Sequence, residues 1–263
     1  MWKQIGTAVA IAATSIGGTA IVTTPAGAYS IFFGENINNT DPRVPLEAFP
    51  NASQAETNFL SRLVGVGTED FESFPVGTDE PLALDFGAAG VATLNGEGSI
   101  ETAATPDERT FSRYAISGEN YWRANAGGNQ FSIDFSQEVA AFGFYGVDLG
   151  DFGGELELVL TLASGGKQTL KVPNTVGSRG DIDGSVLFYG LIAESENEVF
   201  TSLSFNLTAP DTGALEDVFA FDDLTIGSLE QVVDPPNVPE PSTVAGILAL
   251  GLLGLGQLRK RFP

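Results

Sequence analysis

From Glu69 to Gly227 the chain consists of short apolar stretches, each closed by Gly, Pro, Asn, Asp or Ser. Candidate strands fall at 82–86, 91–94, 98–104, 111–116, 131–135, 139–147, 155–163, 167–172, 185–192, 199–207 and 218–226. Strands of this length and spacing specify an all-β domain, because none can bury its apolar face alone and each must join a sheet. Alternation is clean in Glu155-Leu-Glu-Leu-Val-Leu-Thr-Leu and in Phe131-Ser-Ile-Asp-Phe, so every second side chain points to one face. Ser164-Gly165-Gly166-Lys167 between two such runs has the chemistry of a hairpin turn. Ala141-Phe-Gly-Phe-Tyr-Gly-Val-Asp148 is rich in Gly and Phe, as in a tightly packed central strand. With 19 Phe to supply the core, the expected fold is mainly β, a single β-sandwich or jelly roll over residues 70–229.

Residues 29–69 read as an N-terminal extension. Tyr29-Ser-Ile-Phe-Phe-Gly is a short strand candidate, and Pro42, Pro45 and Pro50 mark a turn-rich stretch after it. Ser53-Gln-Ala-Glu56 has the form of a capping box. Ala52, Ala55, Phe59, Leu60, Leu63 and Val64 follow at helical spacing, which predicts one helix over about 52–64 ending at Gly65. Pro235, Pro236, Pro239 and Pro241 mark an extended linker, placed at 230–237.

Composition excludes several chemistries. The 263 residues contain neither Cys nor His, which removes Ser-His-Asp triads, thiol nucleophiles, disulfides and ordinary zinc sites. Lys and Arg number 12 against 34 Asp and Glu, a net charge of −22, so nucleic acid is not an expected partner. Carboxylate chemistry and calcium are what remain. Self-repulsion on this scale disfavours a compact state, which gives bound Ca²⁺ a structural rationale.

Both ends carry targeting patterns. Lys3, the apolar run Ile5 to Val22 and the Ala26-Gly27-Ala28 site form a secretory signal peptide over 1–28, cleaved before Tyr29. At the other end, Val238-Pro239-Glu240-Pro241-Ser242 precedes an apolar run from Val244 to Leu258, closed by Arg259-Lys260-Arg261. As a helix this run spans about 22 Å, short against a hydrocarbon core of about 30 Å. The basic cluster fits a cytoplasmic stop, with the preceding domain outside.

Residues 238–263, with Pro239-Glu240-Pro241, the glycine-rich apolar run and the basic tail, resemble the PEP-CTERM sorting signal. The resemblance implies export across the inner membrane and processing by signal peptidase and an exosortase. It implies delivery to the cell surface or extracellular matrix, with transient anchoring by the C-terminal helix. Members of that family are exported proteins of bacteria that make exopolysaccharide. On this reading Arg259, Lys260 and Arg261 are sorting residues. The signal is an address and implies no activity.

The β region itself resembles the jelly-roll frame of carbohydrate-binding-module-like and lectin-like domains. Asp70-Phe71-Glu72 opens the region, and Phe221-Asp222-Asp223-Leu224-Thr225-Ile226 closes it. The resemblance implies a structural Ca²⁺ shared by Glu72 on the first strand and by Asp222 or Asp223 on the last. Adjacent residues of a strand face opposite sides, so only one of that pair can point to a shared site. Asp148 and Asp151, in a Gly-rich loop, are further calcium candidates, though Asp and Gly are also common turn formers. Asp181-Ile-Asp183-Gly184 has part of an EF-hand pattern without the closing Glu, and reads as a turn.

Trp122 is the only Trp between the two targeting segments. Exposed, it would offer a stacking platform to a sugar ring, with Tyr121 beside it and Arg123 and Asn125 as hydrogen-bonding partners. A lone Trp in a sandwich is more often buried. Glu155 and Glu157, about 7 Å apart on one strand, have a spacing that suits an inverting glycosidase, but alternation alone requires polar residues there. The expected function is therefore that of a non-enzymatic exported surface or matrix protein, calcium-stabilised and polysaccharide-binding. The alternatives are a purely structural envelope or biofilm component, or a carboxylate-dependent glycan hydrolase or lyase.

Overall fold

A computed structural model describes residues 29–39, 41, 44–102, 112–127, 131–150, 154–177, 183–208 and 217–233. The signal peptide and the sorting tail expected from the sequence lie outside them. In chain order the described elements are β1 (Tyr29–Asn36), α1 (Pro50–Leu60), β2 (Thr68–Glu69), β3 (Leu82–Asp85), β4 (Val91–Asn95), β5 (Gly98–Thr102) and β6 (Asn120–Asn125). They continue with β7 (Ser132–Val139), β8 (Ala141–Val147), β9 (Glu155–Leu162), β10 (Lys167–Lys171), β11 (Val186–Ala193), β12 (Phe200–Thr208) and β13 (Val218–Gly227). These strands form two antiparallel sheets of a β-sandwich. One has the order β1-β11-β8-β13-β6-β5, with β2 also paired to β13, and the other has β10-β9-β12-β7-β4-β3.

Alternation explains the second sheet. In β9 the residues Leu156, Leu158 and Leu160 are buried and their neighbours half-exposed, so this sheet has one dry face and one wet face. Between the sheets, phenylalanines interlock. Phe131 stacks on Phe205 with ring centroids 4.6 Å apart, Phe144 stacks on Phe221 at 5.2 Å, and Phe144 meets Phe205 edge-on at 5.3 Å.

The first sheet is different, because every residue of β8 and β11 is buried. Its outer face is covered by α1. Phe59, fully buried, lies over Gly143 and Gly190, which are paired across β8 and β11. A Cβ at Gly143 would stand 2.7 Å from the Phe59 ring, and one at Gly190 would stand 2.8 Å from it. The two glycines therefore form the socket for the ring. Phe32 and Phe188 close around it at centroid distances of 5.7 and 5.6 Å.

Helix α1 starts earlier than expected, with Pro50 in its first turn, and it ends at Leu60. The expected capping box at Ser53 and Glu56 does not form. The Oδ1 of Asn36, at the end of β1, instead accepts from the N–H groups of Asn51 and Ala52 at 3.0 and 3.1 Å. The cap comes from another element, so the local sequence could not show it. Among the described residues no helix is long and apolar enough to cross a membrane.

The extension is part of the sandwich. Strand β1 adds an edge to β11, β2 pairs with Leu224 and Thr225 of β13, and Leu63 bridges to Val232. The boundary drawn at 69/70 thus does not divide the fold. Residues 230–233, assigned to the linker, are docked as well. A short 3-10 helix spans Leu229–Gln231, and the Val233 N–H donates to the Arg62 carbonyl at 2.8 Å. Two strand expectations are also corrected. Residues 112–116 form no strand, and Asn120–Asn125 forms β6. Tyr121 and Trp122 point to opposite faces of a sheet covered on both sides, so β6 lacks the alternation that marks a half-exposed strand.

Tyr29 and Val232 pack on the same small cluster of Ala140, Ala193 and Val199. Both ends of the described chain therefore leave from one end of the sandwich. Val147, Val186 and Ala220 share a register row at the opposite end.

Replacing Phe59 by Ala is expected to cost about 3–5 kcal/mol, and Asn36→Ala about 1 kcal/mol. Urea denaturation measures both. A loss below about 1 kcal/mol for Phe59→Ala would contradict the locked helix.

Candidate functional site

Two groups of carboxylates organise the first sheet. The first lies where β6 and β2 succeed each other along the same side of β13. The β13 register shifts there, between Asp222 and Thr225, and Asp223 has a left-handed φ of 48°. Asp222 Oδ2 accepts from the N–H groups of Ile116 and Ser117 at 2.7 and 3.3 Å, and Oδ1 accepts from the Asp223 N–H at 2.8 Å. The Ser117 hydroxyl donates to Asp223 Oδ1 at 2.6 Å. Glu72 Oε1 accepts from the N–H groups of Glu119 and Asn120 at 2.7 and 2.6 Å. Strand β2 pairs with β13, but Glu72, expected on a strand, lies in the turn that follows β2. What Glu72, Asp222 and Asp223 jointly hold in these contacts is the segment 116–120, which leads into β6.

The second group lies at the sandwich end opposite the chain ends. Asp148 follows β8 with φ 68°, Asp183 precedes β11 and Asp217 immediately precedes β13. Arg113 Nη1 pairs with Asp148 Oδ2 at 3.0 Å, and the Gly184 N–H donates to Asp148 Oδ1 at 3.0 Å. Asp217 Oδ2 accepts from the Gly150 N–H at 2.7 Å. Burial pushes all four deeply placed aspartates up from an ordinary value of 3.8. Asp217 rises to about 7, with the charges of Asp148 and Asp183 adding to the effect, and Asp148 to about 6. Asp222 rises to about 8, with Asp223 adding, and Asp223 to about 6.

Asp151 lies outside the described residues, as does Asp181. No three Asp or Glu side chains among the described residues stand so that they could jointly hold a metal ion. Arg113 and Asp217 were not anticipated. Each sits beside a strand end with no motif around it, and only the topology brings them together.

The expected sugar platform is corrected. Trp122 is fully buried between the sheets, with its ring against Gly98, where a Cβ would stand 2.4 Å from it. Tyr121 is buried on the α1 side. Arg123 faces Glu101 at 3.7 Å, and Asn125 Oδ1 accepts from the Gly127 N–H at 2.9 Å. These four residues shape β6 and its ends, and Trp122 offers no ring face to a ligand. Glu155 pairs with Lys171 at 2.7 Å on the wet face of the second sheet. An open cleft of about 800 Å³ lies at the chain-end side, lined by Glu138, Glu196, Glu230, Gln137 and Asn197 among others.

Residues 237–261 match the PEP-CTERM protein-sorting motif. No curated protein matches the chain. Among solved structures, the K2 cleaved adhesin domain of Lys-gingipain is similar at 14% identity, covering 62% of this chain and 97% of that domain, with a TM-score of 0.34.

A carboxyl group whose folded pKa is raised stabilises the fold fully below its unfolded value, and that stability is lost as pH rises through the folded value. The four aspartates place this window between about pH 4 and pH 8. In EGTA, the melting temperature is expected to fall steadily from pH 5 to pH 8.5, and Asp222→Asn should flatten the upper part of that slope. A melting temperature that rises over the same range would contradict the assignment.

Proposed function

We propose that this is a non-enzymatic surface or matrix protein, sorted by an exosortase, whose β-sandwich binds polysaccharide. The sorting motif at 237–261 carries the reading. That motif goes with processing by an exosortase during export and with surface sorting. The fold supports this role. Both ends of the described chain, Tyr29 and Val232, lie at one end of the sandwich. The wet face of the second sheet supplies the polar surface that a glycan needs. Thr93, Asp134, Ser202 and Thr161 form one row across four strands, and Asn95, Ser132 and Ser204 form the next. Neighbouring strands lie about 4.8 Å apart, close to the advance of a pyranose chain per sugar.

Two measurements test this. The exported protein, purified from its host, should be retained on that host's exopolysaccharide. Absence of retention both with Ca²⁺ and with EGTA would leave a purely structural role. Replacing Arg259, Lys260 and Arg261 by Gln should make the unprocessed chain accumulate in the inner membrane. Normal processing and release of that variant would overturn the sorting assignment.

A further inference from the structure

Among the described residues the second sheet is open at both edges. It has six strands and every neighbouring pair is antiparallel, so its edge strands, β10 and β3, run in opposite directions. The first sheet is closed on its β5 side, where the Gly77 N–H donates to the Ile100 carbonyl at 2.8 Å and the Ile100 N–H to the Thr78 carbonyl at 2.9 Å. Bonds at the strand ends fix which groups the open edges present. The Phe86 N–H donates to the Gly90 carbonyl, and the Val172 N–H to the Leu156 carbonyl. Ladder bonds alternate along an antiparallel strand, so the N–H and C=O groups of Ala83 and Asp85, and of Lys167, Thr169 and Lys171, point outward. These five residues are also the exposed ones of β3 and β10. Charge divides the two edges. Lys167 and Lys171 are the only lysines between the two targeting segments, and both stand on β10. Asp85 ends β3, and the exposed Asp79 and Glu80 lead into it. None of these three acids takes part in an ion pair among the described residues.

We propose that copies of this protein assemble side by side, with β3 of one copy pairing with β10 of the next as an added antiparallel strand. Charges on an edge strand ordinarily keep it from pairing with its like. Here that block falls on β10 against β10 and on β3 against β3, and it leaves β3 against β10 favourable. Placing Asp85 opposite Lys167 of the neighbouring copy brings Ala83 opposite Thr169, and Pro81 opposite Lys171 with Glu80 beside it. In this register the outward main-chain groups of β3 meet those of β10, and opposite charges face each other on one side of the sheet. The contact joins two different edges, so it repeats without closing and builds an open filament. A copy shifted sideways keeps Tyr29 and Val232 on the same flank of that filament. The wet faces of successive copies join into one polar surface. The inference does not depend on that surface binding polysaccharide.

Sedimentation velocity on the exported protein, purified from its host, tests this. The wild type should give dimers, trimers and longer species that grow with concentration. Lys167→Glu combined with Lys171→Glu, and separately Asp85→Lys, should each sediment as a monomer. Mixed together, the two variants should assemble again, because each β3 then meets a β10 of opposite charge. A variant that fails to fold cannot produce that recovery. Asp85 Oδ1 also accepts from the Gly87 N–H at 2.9 Å. If Asp85→Lys does not fold for that reason, Ala83→Pro, which removes only an outward N–H, should give the monomer instead. A wild type that is monomeric at millimolar concentration, assembly that survives in either variant, or a mixture of folded variants that stays monomeric would overturn the inference. A wild type that stops at dimers would overturn it in favour of pairing between two copies of one edge.

Discussion

One aromatic ring over two glycines sets much of this architecture. Phe59 sits where Gly143 and Gly190 leave space above the first sheet, and no larger residue fits at either position without displacing it. The contact joins the extension to the sheet. It also explains why β8 and β11 can be apolar on both faces, since α1 covers one and the phenylalanine core covers the other. A β-sandwich usually exposes the outer face of each sheet. Here one sheet is the middle layer of three, and only the other presents a broad wet face.

The acidic composition acquires a structural use in this arrangement. Glu72 and Asp222 accept backbone N–H groups of the segment leading into β6, and Asp223 accepts from the Ser117 hydroxyl, so carboxylates satisfy main-chain donors there in place of a ladder. Hydrogen bonds to ionised acceptors are stronger than neutral ones. Burial opposes ionisation at the same residues, and the two effects compete most strongly at Asp222. At the far end, Arg113 pairs with Asp148, and Asp217 lies close to both.

Much of the fold was legible in the sequence because it rests on period and turn chemistry. The alternation of Glu155 to Leu162 and the Gly165-Gly166 turn gave β9, β10 and their hairpin with little error. The helix was visible from Ala52, Ala55 and Phe59, yet its cap was not, because Asn36 lies on another element. Strand β6 was hidden by having two wrapped faces. Trp122 illustrates the limit for sites. The same residue type serves as a core filler or as a sugar platform, and only its position between two sheets decides between them. Arg113 and Asp217 could not be found by spacing at all, since they are about a hundred residues apart and meet through β-sheet topology. The sorting tail was the reverse case. Motif, apolar run and basic end are contiguous, so the sequence alone revealed it.

Strand β1 and helix α1 pack with β8 and β11 as one cooperative unit. Native-state hydrogen exchange on the full chain is the measurement to make. Amides of β1 and α1 should exchange only with those of β8 and β11, through the same global opening. Exchange of β1 and α1 through a separate, lower-energy opening that leaves β8 and β11 protected would contradict it.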